Sequence, residues 1–131
     1  MTAQLLLDTH ALLWTLLDPI RLSPSTLDRI RDPRTELFVS AASAWEIGTK
    51  HRLGKLTGAD AVVHGYEAHL ARLRARELPI TSRHALAAGT LNWAHRDPFD
   101  RMIAAQSMIE SLPLVTADGA MTGLPGLRIV W

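Results

Sequence analysis

Cysteine is absent from the 131 residues, which excludes a disulfide framework and any thiolate metal site. Tyrosine occurs once and phenylalanine twice, so the four tryptophans, Trp14, Trp45, Trp93 and Trp131, carry most of the aromatic packing. They read as core or interface anchors rather than base-stacking platforms. No apolar run approaches the ~20 residues needed to span a bilayer. The short apolar stretch that meets Asp8 does not have the form of a signal peptide. A cytoplasmic protein with no membrane segment is the expectation. Repeats, low-complexity tracts and dividing linkers are missing too, so one domain over residues 1–131 is expected.

Charge of one sign is also lacking overall, since the formal net charge is only +1. Its distribution says more than its sum. Between Lys50 and Arg83 there are seven Lys or Arg residues against three acids, with His51, His64 and His69 among them. If four of the thirteen acids are committed to a buried site, nine remain against fourteen bases. Such a chain presents a positive surface around a locally negative pocket, which suits a polyanion. A solvated helix face would give the same count.

What is present in quantity is apolar sequence, 47% against 21% charged, enough for a real core. Four short apolar runs, residues 4–7, 37–39, 114–116 and 127–130, read as strands, with 78–80 as a weaker fifth. They are continuous rather than alternating, the pattern of strands covered on both faces. Helical segments are predicted over 10–17, from Ser23-Pro24 onward, and over 42–52, 60–76, 82–91 and 99–111. Ser23, Thr81 and Asp97 stand as caps, and Pro113 as a stop. Alternation of strands and helices indicates an α/β sandwich around a mainly parallel sheet of four to five strands. Ligands of such sheets bind beyond the carboxyl ends of the strands, at a switch in strand order.

Four acids are expected at that edge. Asp8 follows Leu5-Leu6-Leu7 directly, and Asp118 stands two residues after Leu114-Val115-Thr116. Glu46 lies early in the helix after the second strand, and Asp100 in the first turn of the helix begun by Pro98. Gathered without a cation these carboxylates would repel, and some would have to stay protonated. A hard divalent ion removes that conflict, and oxygen-only ligation favours Mg²⁺ or Mn²⁺ over Zn²⁺. The chemistry suggested is phosphodiester cleavage by metal-activated water. Local roles compete with this reading. Ser43-Ala44-Trp45-Glu46 has capping-box spacing, Asp97 to Asp100 is a helix start, and Asp118-Gly119 is a turn dipeptide. Asp8 alone has no evident local role.

The order Leu7-Asp8-Thr9-His10-Ala11-Leu12-Leu13-Trp14, Ala44-Trp45-Glu46-Ile47, His95-Arg96-Asp97-Pro98-Phe99-Asp100-Arg101 and Leu114-Val115-Thr116-Ala117-Asp118 resembles the four signatures of PIN-domain proteins. The likeness is strongest to the VapC-type toxins of bacterial toxin–antitoxin pairs. It implies a three-layer PIN-like α/β sandwich and a Mg²⁺-dependent endoribonuclease. Asp8, Glu46, Asp100 and Asp118 would be both its metal ligands and its catalytic residues. The implied partners are an RNA substrate, a cognate antitoxin and a second copy in a homodimer. Asp100 is preferred to Asp97 as the third acid because Asp100-Arg101-Met102-Ile103-Ala104-Ala105 keeps the family register.

Among the flanking residues, Thr9 and Ser40 are candidates to orient a carboxylate or water. Arg96 and Arg101 are candidates for phosphate contacts or ion pairs. His10 and His95 are not needed as bases where a metal acidifies water. Two other functions stay open. One is a non-catalytic RNA-binding or protein-interaction module of the same fold. The other is a phosphatase of the haloacid-dehalogenase type, although Asp8-Thr9-His10 lacks that chemistry's second acid.

Overall fold

The computed structural model describes residues 3–131. Five strands form one all-parallel sheet: β1 (Ala3–Leu7), β2 (Thr35–Ser40), β3 (Ala75–Leu78), β4 (Leu114–Val115) and β5 (Ile129–Val130). Their order across the sheet is β3-β2-β1-β4-β5. The chain therefore builds outward from β1 on one side, then returns to add β4 and β5 on the other. The switch in direction falls between β1 and β4, where Leu7 pairs with Val115 and the Asp8 N–H donates to the Val115 carbonyl at 3.1 Å.

Among the described residues seven α-helices cover the sheet: α1 (Thr9–Leu17), α2 (Pro24–Arg31), α3 (Ala41–Arg52), α4 (Asp60–His64), α5 (Tyr66–Leu73), α6 (Ser82–Thr90) and α7 (Pro98–Glu110). The continuous leucines of β1 are explained by layers on both faces. Leu5 and Leu7 point into one core with Leu12, Ile30, Ile47 and Leu70, contributed by α1, α2, α3 and α5. Leu6 points the other way, into a core with Ala42, Ile103, Ala104 and Leu114 under α7. The three-layer sandwich and its mainly parallel sheet are as the sequence led one to expect.

Several helix starts follow local chemistry. The Ser23 hydroxyl accepts from the Thr26 N–H, and Asp97 Oδ1 accepts from the Asp100 N–H at 3.0 Å. Thr81 and His84 form a reciprocal cap in which the imidazole replaces the usual carboxylate. Two boundaries differ from expectation. The helix predicted over 60–76 is two helices joined at Gly65, where an added Cβ would meet the Ala61 carbonyl oxygen at 3.1 Å. Arg74 then takes a left-handed conformation (φ 58°) and ends α5. The third strand consequently begins at Ala75 rather than Leu78. Pro79 has no N–H to contribute, so the strand stops before it.

Leu6 is fully buried between β1's neighbours and α7. Leu6→Ala should lower unfolding free energy by about 3 kcal/mol, measured by urea denaturation with an unchanged m-value.

Candidate active site at the carboxyl edge of the sheet

Asp8 ends β1 and is only 6% exposed. Its Oδ1 accepts from the Ala11 N–H at 2.7 Å, so the side chain caps α1. The expectation that Asp8 has no local role is thus corrected: the turn from strand into helix gives it one. Burial dominates its chemistry and raises its carboxyl from 3.8 to about 6, although the Thr116 hydroxyl, the Ala11 N–H and His10 pull the other way. The charge of Asp100 adds to the rise.

Asp100 lies in the first turn of α7. Its carboxyl is also raised, first by burial and then by the charges of Asp97 and Glu46. His95 opposes this, its Nε2 lying 2.7 Å from Asp100 Oδ2. One ring nitrogen of His95 and one carboxylate oxygen from each of Asp100 and Asp118 fall within 4.8 Å of one another. Asp118 itself is exposed, with Oδ1 accepting from the Ala120 N–H at 2.9 Å and its own N–H donating to Thr116 Oγ1. The turn role read from Asp118-Gly119 is therefore present, and it coexists with a place beside Asp100.

Glu46 does not close a capping box. Ser40 caps α3 through the Ala42 N–H, and Ser43 instead shares a buried hydrogen bond with Thr9 at 3.0 Å. Glu46 is 3% exposed; Lys50 Nζ holds its Oε2 at 2.5 Å, while Oε1 is buried with no partner. A buried, unpartnered carboxylate oxygen among other acids is what a cation or ordered water would satisfy. Thr9 and Ser40 thus tie helix starts to the frame.

A cleft of about 220 Å³ opens onto this edge, lined by Asp8, His10, Trp14, Ala117 and Asp118. Trp14 is braced by the Trp131 ring at 5.8 Å and by the Arg21 guanidinium 5.3 Å from its ring centre. A larger hollow of about 920 Å³ between α4, α5 and β3 contains none of the four acids. Size alone would point there, but two of the four candidate acids, Asp8 and Asp118, line the smaller cleft.

The family model for the PIN domain matches residues 5–126. This chain belongs to the PIN-domain family. The PIN fold is also seen in similar solved structures. VapBC2 from Rickettsia felis, bound to a DNA fragment from its promoter, matches with 14% identity over 98% of each chain and a TM-score of 0.71. FitAcB from Neisseria gonorrhoeae matches with 21% identity over 97% of this chain and 96% of that one, at 0.64. A FitAB complex with an IR36 DNA fragment matches with 19% identity, covering 96% and 93%, at 0.62. No curated protein matches the chain.

Three contributors to this PIN-domain site escape sequence reasoning. His95 was set aside as a base, yet it is the polar partner of Asp100. Thr116 supports both Asp8 and the Asp118 backbone; its position two residues before Asp118 was the available signal. Arg101, a candidate for a phosphate contact or an ion pair, makes no ion pair among the described residues. Its guanidinium donates to the carbonyls of Ala88, Leu91, Trp93 and His95 at 2.8–2.9 Å. It thereby pins the segment that delivers His95. Arg96, by contrast, is exposed.

Arg101→Lys cannot satisfy four divergent carbonyls with one ammonium. It should cost about 2–4 kcal/mol in unfolding free energy, and His95 should lose its fixed position as followed by imidazole NMR shifts. Asp8 has a pH signature. Because its folded carboxyl titrates near 6 rather than 3.8, the folded state binds that proton more tightly than the unfolded chain. The resulting stability is fully present below the unfolded value and is lost as pH rises through 6, by roughly 3 kcal/mol at neutrality. Melting of the metal-free protein should fall accordingly between pH 4 and 7, and Asp8→Asn, which keeps a cap acceptor, should flatten that decline.

Proposed function

We propose that this protein is a Mg²⁺-dependent endoribonuclease acting in the cytoplasm as the toxin of a toxin–antitoxin pair, with Asp8, Glu46, Asp100 and Asp118 as its metal-binding and catalytic residues. The observation that carries the reading is the convergence of acids on Asp100 at the switch point: Asp118 lies within reach of it, the charge of Glu46 acts on it, and its own charge acts on the buried Asp8. Structural roles alone do not account for a buried, unpartnered oxygen on Glu46 beside acids whose ionisation is already disfavoured.

The residues suit a hard divalent ion. Asp8, Asp100 and Asp118 offer carboxylate oxygens, and Glu46 offers Oε1. His95, hydrogen-bonded to Asp100 Oδ2, acts behind that carboxylate and leaves the donor set oxygen-rich, which favours Mg²⁺ with Mn²⁺ as a substitute. When bound, the ion supplies Lewis acidity toward phosphate and water oxygens. The chain's own contribution is orientation. Ala11 N–H and Thr116 fix Asp8, Arg101 fixes the His95 segment, and the α7 start fixes Asp100. Exposed Arg96 follows His95 in the chain and is proposed to meet a phosphate, and exposed Arg52, Lys55, Arg72, Arg74 and Arg83 supply non-specific attraction for RNA.

The likeness to VapBC2 and FitAB supports a cognate antitoxin as partner, here proposed to cover the acidic cleft. A homodimer is part of the same reading; exposed Trp45, Leu86 and Ile80 provide apolar surface for such contacts. Among the described residues no helix is long and apolar enough to cross a membrane.

Wild-type protein should cleave RNA only with Mg²⁺ or Mn²⁺ added after chelation. Asp8→Asn should remain folded and lose at least about a hundredfold in cleavage rate, as expected when a metal site is dismantled. Cleavage by the folded mutant at the wild-type rate would overturn the site. Expression should arrest growth in a manner relieved by the protein encoded beside it; relief with no RNA cleavage by wild type would favour the non-catalytic interaction module instead.

A further inference from the structure

The ion pair between Glu46 and Lys50 does more than a helix-surface pair does. An exposed Glu–Lys pair four residues apart contributes little to stability, and its carboxylate rotates freely in water. Here the Glu46 side chain is 4% exposed and the Lys50 side chain 32% exposed. The ammonium reaches in from the solvent side along a stem that covers α3. It takes one oxygen of the buried carboxylate, Oε2. The other oxygen, Oε1, is buried and unpartnered, and the Glu46 charge is felt by Asp100.

We infer that Lys50 is a positioning residue that reserves a single oxygen of Glu46, Oε1, for the cation or its water and withholds the other. This rests on the metal-nuclease reading above. Two consequences follow from the geometry. With Oε2 held, Glu46 is a one-oxygen donor and cannot close on a cation with both oxygens. The ammonium also offsets one of the four negative charges, which moderates cation affinity and lowers the repulsion met by an incoming phosphate. Lys50 therefore trades cation affinity for a fixed carboxylate.

The test compares wild type with Lys50→Met and Lys50→Arg, using Mn²⁺ alone as the probe by electron paramagnetic resonance and RNA cleavage at saturating Mn²⁺ as a second readout. Freed of its tether, Glu46 should chelate with both oxygens. Lys50→Met should then bind Mn²⁺ about tenfold more tightly while turnover falls about tenfold, whereas Lys50→Arg, whose fork can engage both oxygens of Glu46, should bind Mn²⁺ more weakly than wild type. A merely structural role would weaken Mn²⁺ binding or leave it unchanged, and either result overturns the inference. If Lys50→Met does not fold, Lys50→Gln replaces it. A double-mutant cycle with Glu46→Gln gives an independent check: removing Lys50 should change Mn²⁺ affinity clearly less once Glu46 is replaced, the remainder being the loss of its charge, and fully additive effects would overturn the inference. Wild type that binds no Mn²⁺ at all would overturn the nuclease reading itself, whereas wild type that binds it with Lys50→Met unchanged would overturn only the role of Lys50.

Discussion

Asp8 lies almost wholly out of water between the ends of β1 and β4, with Asp100 near enough to act on it and Glu46 near enough to act on Asp100. Holding several carboxylates in that place is costly, because burial and like charge both disfavour their ionised forms. The rest of the edge is arranged around this cost. Each acid has compensating partners from the chain itself: Thr116 and the Ala11 N–H for Asp8, His95 for Asp100, Lys50 for Glu46 and the Ala120 N–H for Asp118. None of the four is fully neutralised. The remaining imbalance is the physical basis of the proposed cation site.

The sheet makes such an arrangement mechanically stable. In a doubly wound parallel sheet, the strands on either side of the switch send their connections apart, which opens a crevice at their carboxyl ends. Asp8 and Asp118 stand on the two sides of that crevice, anchored by the Leu7–Val115 pairing. Glu46 and Asp100 come from helices that start at the same edge, packed over Ile47 on one face and Ile103 on the other. Rigid elements thus carry all but the exposed Asp118, which is held by a short turn.

Arg101 shows how a charge can serve geometry rather than catalysis. Placed between an acid-rich edge and an irregular segment, it bonds only to backbone carbonyls. The stretch from Leu91 to Asp97 has no helix or strand of its own to satisfy those carbonyls. One guanidinium does so, and His95 is carried to Asp100 as a result. The charge–geometry split recurs at Lys50, whose ammonium both compensates and orients.

Local chemistry was legible from the sequence alone. Continuous leucines marked a strand covered on both sides, Ser23, Thr81 and Asp97 marked helix starts, and the four acids with their flanking residues marked the PIN family. These are signals carried within a few residues. Gly65 was visible but did not by itself say that a helix breaks there, since a glycine is tolerated in many helices. What only the tertiary structure decided is which groups meet across long stretches of chain: β1 beside β4, Thr9 with Ser43, His95 with Asp100 through Arg101, and Glu46 buried so that its ordinary i,i+4 lysine becomes a tether. Spacing and composition do not encode burial at a single position, and it is burial that turned each of those common side chains into part of a site.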